Sequence, residues 1–96
     1  MTVYCVALID IHDRDRYDTY RLGFREIFDR FSGKMLSVEE APDVREGGNW
    51  PYTRTVLMAF PDAPSFDAWY NSPDYQALAK QRHAAATTSL AIVRGR

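Results

Sequence analysis

The order of apolar runs and helical stripes predicts an α+β protein with the ferredoxin-like β-α-β-β-α-β order, an antiparallel four-stranded sheet with its helices on one face. Three observations carry that expectation. Apolar runs stand at Val3 to Ile11, where Asp10 is the one charge, and at Thr55 to Phe60 within a strand from Thr53, with weaker strand patterns at Lys34 to Glu40 and Ser89 to Arg94. Aromatic and aliphatic residues recur at three- and four-residue spacing between them. Capping oxygens at Asp13, Asp62 and Ser72 mark where helices begin, the last two followed by proline in the first turn.

The first run, Val-Tyr-Cys-Val-Ala-Leu-Ile-Asp-Ile, is β-branched and apolar throughout, with Asp10 its one charge, as expected of a central strand. Asp13 opens a helix expected to reach about Phe31, because Tyr17, Tyr20, Phe24, Ile27, Phe28 and Phe31 share one face. Its charges fall on the solvated faces, with Arg25 and Asp29, and Glu26 and Arg30, spaced as i,i+4 pairs. Ser32-Gly33 ends the helix, and Gly33 is expected to take the left-handed cap.

Met35, Leu36 and Val38 then alternate into Glu39, Glu40 and Pro42, a composition suited to a sheet edge. Gly47-Gly48 and Trp50-Pro51 punctuate a loop from Asp43 to Tyr52. After the third strand, Phe66, Trp69 and Tyr70 line a short helix, and Tyr75, Leu78, Ala79, Arg82 and Ala86 form the stripe of a longer one ending at Thr87-Thr88. Ser89 to Arg94 closes the sheet.

The 96 residues make one domain, residues 1–96, and 46% hydrophobic content is ordinary for a globular fold. A chain this short buries a limited fraction of its surface, so association is the simplest addition to its stability. A net charge of -1 with interspersed signs provides no footprint for nucleic acid or an anionic membrane. The N-terminus reads as strand with no signal peptide, and no apolar run approaches a bilayer span. The lone cysteine, Cys5, reads as a buried thiol, and the expectation is a reduced, cytoplasmic protein.

The central strands are apolar on both faces, Val3, Cys5, Ala7 and Ile9 on one side and Tyr4, Val6 and Leu8 on the other. Helices cover one face of such a sheet. A second copy packed sheet to sheet would cover the other, and a homodimer is therefore expected, the competing possibilities being a cover supplied by the long loop and a monomer that tolerates the exposed face.

Several of these residues also form a recognisable pattern: Asp10 closing the first strand, Tyr17 and Tyr20, Gly33, Gly48-Asn49-Trp50-Pro51 with Arg54 beyond, Phe60, and Trp69-Tyr70-Asn71-Ser72-Pro73-Asp74-Tyr75 followed by Arg82. The chain resembles the domain of unknown function 1330 family of the dimeric α/β-barrel superfamily. The resemblance implies a ferredoxin-like homodimer forming a dimeric α/β barrel, and it implies no activity. Cofactor-free monooxygenases, haem-degrading enzymes and lactone isomerases occur among related barrels, an analogy at the level of fold.

Asp10 and Arg82 are the most informative charges, since each lies among apolar neighbours and needs a partner. They are expected near each other, either as an ion pair fastening the last helix or as base and anion grip of a small pocket. His12, at the turn after the first strand, is a weaker candidate for proton transfer and equally suits a loop role. Exposed His83 reads as solvent-facing. Trp50, Trp69, Tyr75 and Arg54 could wall a planar ligand, although large aromatics in a short chain also serve as core. No phosphate loop, zinc spacing or nucleophile elbow is present, and neither metal nor organic cofactor is expected. Two functions fit: a cofactor-free enzyme acting on a small organic acid or aromatic metabolite, and a non-catalytic dimeric ligand-binding or structural module.

Overall fold

In a computed structural model that describes residues 1–96, the chain runs β1 (Val3–Ile11), α1 (Arg14–Phe28), β2 (Lys34–Glu39), β3 (Arg54–Phe60), α2 (Ala63–Tyr70), α3 (Pro73–Ala85) and β4 (Ala86–Arg94). All three capping residues act as the sequence predicts. The side chains of Asp13, Asp62 and Ser72 accept from the backbone N–H of Arg16, Ser65 and Tyr75 at 3.2, 2.8 and 3.2 Å.

The sheet order is β2-β3-β1-β4 with every neighbouring pair antiparallel, so the two apolar strands are central and the charged β2 lies at an edge. Val3, Cys5, Ala7 and Ile9 of β1 and Val56, Met58 and Phe60 of β3 are buried under the helices. The alternate residues Tyr4, Val6, Leu8 and Asp10, with Thr55, Leu57 and Ala59, face the other way and are half-buried. On that open face Val93 is 50% exposed. A bulge between Met35 and Ser37 resets the register of β2, which lets both Met35, opposite Met58, and Val38, opposite Val56, share the helix side.

Three boundaries differ from expectation. Helix α1 stops at Phe28 with Asp29 as its cap, and Gly33 does not have a positive φ. Its role is proximity: a Cβ there would lie 2.5 Å from the Phe60 ring and 2.8 Å from that of Phe28. At the other end of the chain α3 passes directly into β4, which begins at Ala86 and not at Ser89. Thr87 and Thr88 pair with Asp10 and Ile9, a β-branched pair suited to a strand. The terminal carbonyl of Ala85 accepts from the N–H groups of His12 and Asp13 at 2.9 and 3.0 Å, which ties the end of α3 to the start of α1.

Trp69, fully buried, is the hub between helices and sheet. Its ring stacks on Phe60 at 5.6 Å and meets Phe24, Phe28 and Phe66 edge-on.

Candidate functional site

Helices α1 and α3 lie against each other over the buried face of the sheet, and a cavity of about 670 Å³ opens beneath them. That size suits a small organic ligand. Its walls are mainly apolar: Tyr17, Tyr20, Phe24 and Phe28 of α1, Val56 and Met58 of β3, and Trp69 and Tyr75. The i, i+3, i+4 spacing of α1 makes one wall, and the alternation of β1 and β3 makes the floor.

Arg82 is the one buried charged residue in the protein, 4% exposed, and it lines this cavity. It forms no ion pair; its guanidinium carbon sits 5.7 Å from the centre of the Tyr20 ring. The Tyr20 and Tyr75 hydroxyls hydrogen-bond to each other at 2.8 Å in the same buried corner. Burial raises the pKa of both phenols, that of Tyr20 well above its ordinary value, and burial raises that of Tyr17 as well. All three are neutral donors and acceptors at neutral pH. Burial also pushes the Cys5 thiol up to about 11, with the nearby Arg82 charge only partly opposing it, so this sulfur stays protonated.

Arg54 is held differently. Its guanidinium lies over the Tyr17 ring at 5.6 Å and pairs at 3.0 Å with Glu40, which also receives Arg14 at 3.1 Å. Hydrogen bonds from Arg14 and Arg54 lower the pKa of Glu40. This triad joins the start of α1 to the ends of β2 and β3. Arg54 Nε, Trp69 Nε1 and Thr88 Oγ1 are buried without hydrogen-bond partners, and all three residues line the cavity. Polar capacity on this wall is therefore unused.

The structure brings together Arg82, Arg54, Trp69 and Tyr75 around one space, and it separates the others. Asp10 and Arg82 are not a pair: strand alternation turns Asp10 to the open face with Tyr4, Val6 and Leu8, whereas Arg82 lies on the helix side. The expectation of proximity failed because Asp10 occupies an even position of β1 and every helix-facing residue of that strand is odd. Trp50 is 41% exposed on the loop, packed edge-on against Tyr52 at 5.3 Å, and is not a cavity wall. His12 and His83 are both exposed. Tyr17 and Tyr20 were read as helix stripe and prove to be cavity wall; their spacing with Phe24 is the signal that points to it. No three His, Cys, Asp or Glu side chains converge as a metal-binding group, and no helix is long and apolar enough to cross a membrane.

Fold and site together define a small ferredoxin-like α+β protein with an arginine-bearing cavity between its sheet and helices. Over residues 2–96 the chain matches the family described as Domain of unknown function (DUF1330), and it belongs to that family. No curated protein matches it. Among solved structures, a protein of unknown function from Rhodopseudomonas palustris superposes with a TM-score of 0.83 at 16% identity, covering 99% of this chain and 82% of the other. SnoaB, a cofactor-independent oxygenase from Streptomyces nogalater, gives 0.70 at 14% identity, covering 99% and 93%. A dimeric ferredoxin-like protein of unknown function from Jannaschia sp. gives 0.71 at 14% identity, covering 99% and 100%. At these identities the likeness is one of fold.

Proposed function

We propose that the protein is a homodimer, packed through the open faces of two sheets, in which the cavity of each protomer binds a small organic acid or aromatic metabolite as its anion. The observation that carries this reading is Arg82. A guanidinium 4% exposed with no carboxylate partner is costly to bury, and the space beside it is where an anion would offset that cost. Aromatic walls at Tyr20, Tyr75 and Trp69 suit a planar body, and Arg54 adds a second cation.

No organic cofactor enters this reading. The Streptomyces neighbour, a cofactor-independent oxygenase, is an instance of the same fold supporting chemistry in that way. A cofactor-free enzyme and a binding protein share the same complex here and differ in turnover. Dimerisation draws support from the half-exposed apolar band of Tyr4, Val6, Leu8, Leu57 and Val93 and from neighbours described as dimeric. The buried, protonated thiol of Cys5 suits a reducing cytoplasm.

The test is calorimetric titration with naphthoate, alongside mass spectrometry of metabolites released on denaturation. Wild type should bind, Arg82→Met should fold and lose binding, and Arg82→Lys should retain part of it. Undiminished binding by a folded Arg82→Met variant refutes the assignment. Sedimentation at micromolar concentration should show a dimer that Leu8→Lys converts to monomer; a monomeric wild type removes the dimer from the proposal.

A further inference from the structure

The floor of the cavity is built of rows that run across the sheet. Leu90 of β4 stands opposite Ala7 of β1, Ala7 opposite Val56 of β3, and Val56 opposite Val38 of β2. All four line the cavity, since residues paired across strands share a face. Three strand spacings of ~4.8 Å make the row roughly 14 Å long. Thr88, Ile9 and Arg54 form a second row beside it, and Met58 with Met35 the outer half of a third. Ala7 has the smallest side chain of the first row, so the trough is deepest over β1.

The two ends of the trough differ. At the β4 end stands Arg82, one turn before α3 passes into β4, with the rings of Tyr20 and Tyr75 beside it. At the β2 end Met35 and Val38 line the cavity yet remain 38% and 44% exposed. A regular strand sets residues three apart on opposite faces; the bulge between Met35 and Ser37 brings both to the helix side. Charge is already satisfied at this end, because Arg25 pairs with Asp29 at 3.2 Å and Arg21 with Asp18 at 3.4 Å. A dimer packed through the opposite face of the sheet leaves this apolar lip open.

We infer that the cavity takes an aromatic acid carrying a linear apolar tail, with the carboxylate on Arg82 and the tail running along Ala7 and Val56 onto Val38 and Met35; this rests on the reading of the cavity as an anion site. A fused bicyclic acid fills the inner part and leaves the lip wet. A tail that reaches the lip removes exposed apolar surface from water and needs no charged partner. Because the lip covers one side of the tail and water the other, each methylene gains about half of its full transfer energy.

The experiment titrates wild type calorimetrically with naphthoate and with para-alkylbenzoates from ethyl through butyl and hexyl to octyl. Kd should tighten roughly fourfold for each two-carbon extension. Met35→Gln combined with Val38→Thr keeps side-chain size and, at Val38, the β-branch, on an exposed edge strand. That double variant should flatten the series beyond butyl and leave the naphthoate Kd within about twofold. Naphthoate binding with no gain from tail length, a double variant that keeps the wild-type slope, or one that weakens naphthoate as much as octylbenzoate overturns the tail site and leaves the inner anion site standing. A double variant that sediments differently from wild type gives Met35 and Val38 to a subunit contact and overturns it likewise. Binding of no acid by wild type overturns both readings together.

Discussion

The Tyr20 and Tyr75 hydroxyl pair offers a measurable test of how the cavity corner is built. Their oxygens are 2.8 Å apart, and the residues are 6% and 1% exposed, so within the protein each hydroxyl is the other's hydrogen-bond partner. Tyr20→Phe or Tyr75→Phe removes one oxygen and strands the other. A stranded buried hydroxyl costs ~1–2 kcal/mol, whereas removing both oxygens leaves two apolar rings with nothing to satisfy. The double variant should therefore lose less than the sum of the singles, with a coupling of ~0.5–1.5 kcal/mol. In a domain of this size that corresponds to a Tm shift of roughly 4–8 °C for each kcal/mol, read by calorimetry at one fixed protein concentration. The same pair sets an alkaline limit. Burial raises both folded-state phenol pKa values above the unfolded value near 10, so their contribution is whole below that pH and is lost as pH climbs towards the folded values. Wild-type Tm should be flat from neutral pH to about 9 and fall beyond about 10, and the double Phe variant should fall less steeply. Additive single losses, or identical alkaline profiles, would refute the buried pair.

Gly33→Ala should destabilise the fold by ~1–3 kcal/mol in denaturant titration, because the added methyl meets the Phe60 and Phe28 rings at 2.5 and 2.8 Å; a neutral substitution would mean these rings move freely. Cys5, with its thiol pushed up to about 11 and no exposed surface, should resist a thiol-specific disulfide reagent at pH 8 until the protein is unfolded, so fast native labelling would contradict the burial. Asp10→Asn should leave naphthoate affinity unchanged within about twofold by calorimetry, since Asp10 lies across the sheet from Arg82; a tenfold loss would place the ligand on the wrong face.

Element order, strand centrality and all three helix starts were legible from local chemistry. Asp13, Asp62 and Ser72 cap where they stand because capping needs only residues within one helical turn. What escaped depended on three-dimensional approach. Gly33 suggested backbone freedom, yet the reason for it is two phenylalanine rings, one of them 27 positions further along the chain. Asp10 and Arg82 invited pairing because both are charges in apolar company, and only strict strand alternation, counted from Val3, places them apart. Trp50 and Trp69 are chemically alike in sequence; Trp69 has the packing of six neighbouring rings and Trp50 an exposed loop. The cavity itself has no sequence signature, since Arg82, Tyr20 and Tyr75 meet through the packing of α1 on α3.

The chemistry open to this cavity follows from which of its groups can take a proton. Tyr17, Tyr20 and Tyr75 are held neutral by burial, Arg54 and Arg82 are cations, and Asp29, the one carboxylate, stands at the mouth against Arg25. None of these is a base beside Arg82 at neutral pH, and Asp10, the carboxylate expected there, faces the opposite side of the sheet. On the reading proposed above, the cavity receives negative charge that already exists. A carboxylate fits directly, and an enol or phenol fits if it is acidic enough to enter as its anion or to be ionised by the guanidinium. Catalysis in this setting would act by stabilising charge developed on the substrate, with Arg82 and the one free hydroxyl hydrogen of the Tyr20–Tyr75 pair as preorganised donors, and not by proton abstraction from a neutral carbon acid. Substrate acidity then becomes the discriminating variable: affinity across a series of naphthols of decreasing pKa should rise at fixed pH for wild type and flatten in Arg82→Met. A wild-type series without slope would leave Arg82 as a fastener on Tyr20 alone.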